Sequence, residues 1–170
     1  MEQNYPAYRA IRMDTWPRRE HFAYYRRQIR CGYSLTVRMD VTKLVAFAKT
    51  QHLHFFPCFL YAASRTVNQM DEMKMMLTPE GGVGIWEVSH PNFTIFHEDD
   101  KTFSDVWMQY QPDFSAFYQE YLDVMRKYTE HNGVCTLPAS LTISHAAADG
   151  YHSSLFFHQL QENLNQTETW

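Results

Sequence analysis

Two hydrophobic periods run through this chain. Period-two stretches mark half-buried strands. Tyr33, Leu35, Val37 and Met39 alternate with Ser34, Thr36 and Arg38, and Leu137, Ala139, Leu141 and Ile143 are interleaved with Thr136, Ser140, Thr142 and Ser144. A strand that continues past Ser144 places His145 on its apolar side. Helical spacing appears elsewhere. Arg18, Phe22, Tyr25 and Ile29 share one face, with Asp14 and Thr15 as caps and Pro17 in the first turn. Asp40 and Thr42 cap a short helix through Leu44, Val45 and Ala48. Phe55-Phe56-Pro57 opens one that carries Phe59, Leu60, Ala63 and Val67. Phe103 to Tyr110 and Asp113 to Lys127 read as helical, the second with Phe114, Phe117, Tyr121 and Val124 on one side. After Gly150 comes a helix with Phe156, Phe157, Leu160 and Leu164. Residues 1–13 form an entry strand. Glu80-Gly81-Gly82 reads as a hairpin turn, with Val83 to Val88 and Asn92 to Phe96 as the strands around it. Strands and helices alternate unevenly, which predicts an α+β or α/β class with a mixed sheet.

Composition narrows this picture. The chain has 170 residues, enough for one domain with a real core, expected to span 1–170. Aromatic residues make up 16 %, which favours a dense core together with an apolar pocket or a subunit interface. The net charge of −4 argues against nucleic acid. Arg18, Arg19, Arg26, Arg27 and Arg30 cluster at helical spacing, as on a solvated helix face. No apolar run approaches the ~18 residues of a membrane span. The N-terminus shows no signal core, and Cys31, Cys58 and Cys135 form neither a disulfide framework nor a zinc pattern. A cytoplasmic location is expected. Met70, Met73, Met75 and Met76 read as core filler, and His97 to Lys101 as a solvated turn.

Candidate chemistry gathers at Ile143-Ser144-His145-Ala146-Ala147-Ala148-Asp149-Gly150-Tyr151-His152. His145 follows an apolar strand and faces a run of small residues, which let another group approach closely. It has three readings: a core histidine, a general base, or a metal ligand with Asp149 and His152. Asp149 suits a helix N-cap. It also suits a partner for Arg18, whose guanidinium on an apolar stripe needs a carboxylate unless it reaches water. An imidazole with a pKa near ~6.5 can take the proton of an attacking hydroxyl. No GxSxG elbow is present, so direct transfer from an activated donor is favoured over a covalent enzyme intermediate.

His145-Ala-Ala-Ala-Asp149-Gly150-Tyr151-His152 resembles the HHxxxDGxH signature of the chloramphenicol acetyltransferases. Trp16-Pro-Arg18-Arg-Glu20-His21-Phe22, Asn68 to Met75, Ile85-Trp86 through His90-Pro91, Phe96-His97-Glu98 to Phe103-Ser104, Asp113-Phe114 and Leu160-Gln161 resemble that family in the same order. The resemblance covers nearly the whole chain. It implies a two-layer, CoA-dependent acyltransferase fold with helices on one face of a mixed sheet. It also implies a cytoplasmic homotrimer with active sites between subunits, and antibiotic resistance through acetyl transfer from acetyl-CoA to the primary hydroxyl of chloramphenicol or a similar acceptor. No metal is implied. His145 matches the family's base, and Asp149 its arginine-paired aspartate, with Arg18 as the arginine. Tyr25, Ile29 and Phe103 fall where the family lines its antibiotic pocket, and Lys127 and Tyr128 near the CoA nucleotide.

Two departures from the family stand out. The first histidine of the signature is Ser144, which is not the base position. Family chains are also longer by roughly fifty residues, within the usual single-domain range. The shortfall falls between about Asp123 and Lys127. The absent block holds the family's NPWxSFT-like stretch, whose serine donates to the oxyanion. Ser140, Thr142 and Ser144 are the substitute donors at hand, but alternation puts all three opposite His145. Two further readings follow: a catalytically impaired trimeric ligand or CoA binder on the same scaffold, and a metal-dependent hydrolase using His145, Asp149 and His152.

Overall fold

A computed structural model describes residues 7–29, 31–97, 101–128, 141–144, 147 and 150–166. Helices and short strands intermix, as the sequence predicts, and every strand ladder among the described residues is antiparallel. The chain divides into two compact units. One comprises residues 1–39, 66–89 and 139–159, the other 40–65, 90–138 and 160–170.

In the first unit, β4 (Val83–Trp86) lies between β1 (Tyr8–Ala10) and β3 (Met75–Leu77). The strand leading into the Gly81-Gly82 turn is therefore the methionine stretch rather than Asn92 to Phe96. Gly81 has φ +80°, a conformation that costs a side-chain-bearing residue energy. Its N–H donates to the Thr78 carbonyl at 2.9 Å, and the Thr78 hydroxyl accepts from Gly82 N–H at 3.1 Å. These bonds set the register Leu77↔Val83. At Gly84 a Cβ would stand 2.8 Å from Tyr8 Cδ2 and 3.3 Å from Thr78 Cγ2, so the central strand accepts its neighbours only because that side chain is absent.

Helix α1 (Arg19–Arg27) starts later than its expected caps. The Asp14 carboxylate is held by Arg12 at 2.8 Å, and Thr15 N–H bonds the Arg12 carbonyl, so residues 12–15 turn instead of capping. The helix ends at Arg27, which leaves Ile29 beyond it and 44 % exposed rather than on the stripe. A second ladder pairs β2 (Gly32–Leu35) with β7 (Leu141–Ser144), in register Gly32↔Ser144 to Leu35↔Leu141. A 3-10 turn at Asp71–Lys74 leads into β3.

In the second unit, α2 (Thr42–Thr50) begins as expected, with the Asp40 carboxylate accepting Thr42 N–H at 2.9 Å. Those Thr42 hydrogen bonds hold the Asp40 carboxyl below its ordinary value. Gln161 brackets the same residue. Its Oε1 accepts Asp40 N–H at 2.8 Å, and its Nε2 donates to the Asp40 carbonyl. Phe103 to Trp107 is a strand, β6, paired with β5 (Asn92–Phe96) in register Phe96↔Phe103. The helical expectation fails there because so short an apolar run fits either period; burial alternates along it. His97, expected on a solvated turn, is buried and meets the Ser104 hydroxyl at 2.7 Å.

Helices α3 (Phe55–Gln69) and α4 (Phe114–Tyr128) contribute the aromatic core of this unit. Phe114, Phe117, Tyr121 and Val124 are buried, as their spacing predicts. Tyr61 meets Phe114 and Phe117 at 5.2 and 5.3 Å, edge to face, and its hydroxyl donates to the Pro112 carbonyl at 2.8 Å. Helix α5 (Gly150–Asn165) buries Phe156, Leu160 and Leu164, again as the spacing predicts. No helix among the described residues is long and apolar enough to cross a membrane.

Three measurements check this account. Gly84→Ala should cost about 1–3 kcal/mol through overpacking, read as a lower urea midpoint at an unchanged slope. The second concerns buried acids. Burial pushes the Cys58 thiol up to about 11 and raises the Tyr61 and Tyr110 hydroxyls. Groups raised in the folded state contribute stability that is full below their unfolded values and is lost as pH rises through the folded ones. The urea midpoint should therefore fall as pH climbs from about 9 toward about 11. Cys58 should also resist a thiol reagent at pH 8 until the protein unfolds.

Candidate active site

The sequence motif lies where a strand gives way to a helix. β7 ends at Ser144, opposite Gly32 of β2, and α5 begins at Gly150. His145 and Asp149 belong to the intervening connection and lie outside the described residues, as does the Arg18–Asp149 pairing. The structure does fix both flanks of that connection. Ser153 is fully buried, and its hydroxyl is hydrogen-bonded to the Tyr33 hydroxyl on β2. His152 is 9 % exposed, with Nε2 3.6 Å from the Glu72 carboxylate in the 3-10 turn.

Arg18 occupies the N-cap position of α1, where its carbonyl accepts Phe22 N–H at 2.8 Å. Its Nε and Nη2 are shielded from solvent, so the guanidinium is folded inward, one of the two readings that its place on the stripe left open. It lines a cleft of about 490 Å³ with Arg9, Arg12, Trp16, Glu72 and Ile85. Arg9 is neutralised by Asp71 at 2.7 Å, and Lys74, itself buried, reaches the same carboxylate at 3.9 Å and the Glu87 carbonyl at 3.5 Å. The lining thus carries three guanidiniums, of Arg9, Arg12 and Arg18, against two carboxylates, of Asp71 and Glu72.

The remaining predicted residues belong to both units. Tyr25 is half-buried on α1, its ring 4.7 Å from His21 and 5.2 Å from Tyr24. Ile29 follows that helix. In the second unit, Phe103 opens β6 and is 66 % exposed, while Lys127 and Tyr128 sit in the last turn of α4. Among the described residues no group of three or more His, Cys, Asp or Glu side chains could hold a metal ion, and His152 faces Glu72. Glu72 and Ser153 were missed in the sequence. Ser153 had a readable signal: it shares a face with Phe156, Leu160 and Leu164, and a hydroxyl on a buried stripe calls for a partner.

The sequence matches the model of the family described as Chloramphenicol acetyltransferase over residues 6–135. Chloramphenicol acetyltransferase 2 of Escherichia coli is 32% identical over 202 residues, covering 89% of this chain and 94% of that protein. Chloramphenicol acetyltransferase 2 of Haemophilus influenzae is 43% identical over 123 residues, covering 72% of this chain and 56% of the other. A solved structure of a chloramphenicol acetyltransferase shares the fold, with a TM-score of 0.79 at 19% identity over 93% of this chain and 100% of that one. The family match and the 32% relative together place this chain in the chloramphenicol acetyltransferase family, a family of acyltransferases.

Proposed function

We propose that this chain transfers acetyl from acetyl-CoA to the primary hydroxyl of chloramphenicol or a similar small acceptor, with His145 as general base. The match to the family over residues 6–135 carries the acetyl-transfer reading, and the likeness of residues 145–152 to the family signature supports His145 as the base. In the proposed reaction the imidazole of His145 takes the proton from the acceptor hydroxyl as its oxygen attacks the thioester carbonyl. The new C–O bond forms, the C–S bond breaks, and the proton passes to the departing CoA sulfur. Asp149, paired with Arg18, supports the site; the inward-folded guanidinium of Arg18 favours that pairing. Tyr25, Ile29 and Phe103 contact the acceptor, and Lys127 and Tyr128 the nucleotide of CoA. The exposed apolar side chains of Ile29, Phe103 and Trp107 suit a site completed by a neighbouring subunit in a cytoplasmic homotrimer. The product would be an acetylated antibiotic, hence resistance.

A second reading is favoured by one observation. The 202-residue match to the E. coli relative is longer than the 170 residues of this chain, so part of the relative has no counterpart here. The 123-residue match spans 72% of the chain and so needs almost no gaps. Both fit a block absent between about Asp123 and Lys127, which would remove an oxyanion donor. That loss typically costs about 10²–10³ in rate, and lost positioning costs more. The alternative is therefore an impaired trimeric homologue that binds CoA or ligand. Neither the family match nor the described residues support the metal hydrolase.

Release of CoA thiol in the presence of acetyl-CoA and chloramphenicol tests the enzyme reading. Release that His145→Ala abolishes supports it; no release even at high protein concentration sinks it and leaves the binder. The support role has its own test. Arg18→Ala should lower the melting temperature by several degrees more than Arg19→Ala, whose side chain is half exposed. Equal melting temperatures would remove the Arg18–Asp149 pairing.

A further inference from the structure

We propose that Tyr33 and Glu72 are positioning residues for the reaction: through Ser153 and His152 they clamp the first turn of α5, and so fix both ends of the connection that carries His145 and Asp149. The inference rests on the assignment of His145 as base. Strand β2 does two jobs at one place. Its ladder holds the incoming strand, with Gly32 opposite Ser144 and Tyr33 opposite Ile143. The hydroxyl of the same Tyr33 holds the outgoing helix, hydrogen-bonded to fully buried Ser153. Residues 145–152 lie between the two attachments, and 150–152 of them already belong to α5.

The second attachment limits rotation of the helix. His152 is the neighbour of Ser153, and its Nε2 lies 3.6 Å from Glu72 Oε1. Glu72 does not swing freely, because its turn is anchored on both sides. Asp71 pairs with Arg9 of β1 at 2.7 Å, and buried Lys74 reaches Asp71 and the Glu87 carbonyl. Tyr33 and Glu72 thus fasten α5 at two places, to strand β2 through Ser153 and to the 3-10 turn before β3 through His152. Glu72 and Arg18 also line one cleft, so the clamp borders the side chain proposed to pair with Asp149. A displacement of about 1 Å at a reacting group can cost about 10²-fold in rate, which is the error such a clamp would prevent.

Tyr33→Phe removes one hydroxyl and keeps the ring, and Ser153→Ala removes its partner. Each should lower kcat about 10- to 100-fold while both KM values stay within about twofold, because binding groups are untouched. The double variant should be no worse than either single one, since both delete the same contact. Glu72→Gln should act in the same direction, with Glu72→Asp recovering part of the loss. Hydrogen–deuterium exchange gives a readout that needs no activity. Amides 145–149 should exchange faster in Tyr33→Phe and Ser153→Ala than in the wild type or the exposed control Lys43→Ala. Unchanged exchange at 145–149 overturns the clamp whatever the activity, and so does faster exchange with unchanged kcat. A fully active His145→Ala would overturn only the base assignment. If the wild type releases no thiol, exchange alone decides the clamp.

Discussion

The pairing of β2 with β7 is the constraint on which this site depends. It joins parts of the chain far apart in sequence: Tyr33 and Ser153, which meet beside it, are separated by 120 positions. Closing so long a loop costs conformational entropy before any contact offsets it. The ladder alone is short, four residue pairs. Side-chain contacts at the start of α5 therefore share the load, and they do so next to the motif rather than at a distance. A tyrosine suits this role, because its ring packs against apolar neighbours while its hydroxyl reaches a buried serine. Two attachments on one strand also make local structure and function answer to the same residues. A change that loosens β2 would loosen both flanks of the connection at once.

Elsewhere the two units solve different problems. The first is built on close approach. Gly84 lets Tyr8 and Thr78 lie over the central strand, and Gly81 supplies a turn geometry that few residues adopt without strain. The second is built on bulk. Tyr61 meets Phe114 and Phe117 edge to face and Tyr121 meets Tyr118 at a tilt, geometries that stabilise aromatic pairs beyond simple burial. Polar groups inside it are satisfied locally, by Tyr61 to Pro112, Cys58 to His54, and Gln161 to the peptide of Asp40. Buried thiol and phenol groups kept neutral by that environment are why its stability should decline in alkali.

Long periodic stretches were legible. The buried faces of α4 and α5, and the opening of α3 at Phe55-Phe56-Pro57, could be read from spacing alone, because tertiary packing reinforces a 3.6-residue period over several turns. Short elements were not. Phe103 to Trp107 satisfies either period, and only its partner β5 decides for a strand. The strand before Gly81 was hidden in a methionine run, whose flexible side chains carry little β signature. Asp14 looked like a helix cap until Arg12 claimed its carboxylate. The place of Arg18 on an apolar stripe was legible, but the choice between turning inward and reaching water was not. Glu72 was not, since nothing local in the sequence says which carboxylate will meet His152.

The proposed absence of a family block gains physical meaning from α4. That helix runs unbroken from Phe114 to Tyr128 across the place where the block would be missing. Its buried stripe continues through Val124, and Asp123 pairs both with Gln119 at 3.0 Å and with Arg126 at 3.0 Å, one turn to either side. A join inside a helix that kept the wrong phase would turn apolar residues to solvent and break such pairs. Here the period is kept through residues 123–128, so folding of α4 does not require the missing residues. The block would have supplied sheet strands and pocket walls as well as the donor, so its loss would fall on positioning as well as on chemistry. The base and the elements that hold its flanks would persist, while the donor that stabilises developing oxyanion charge would have to come from elsewhere.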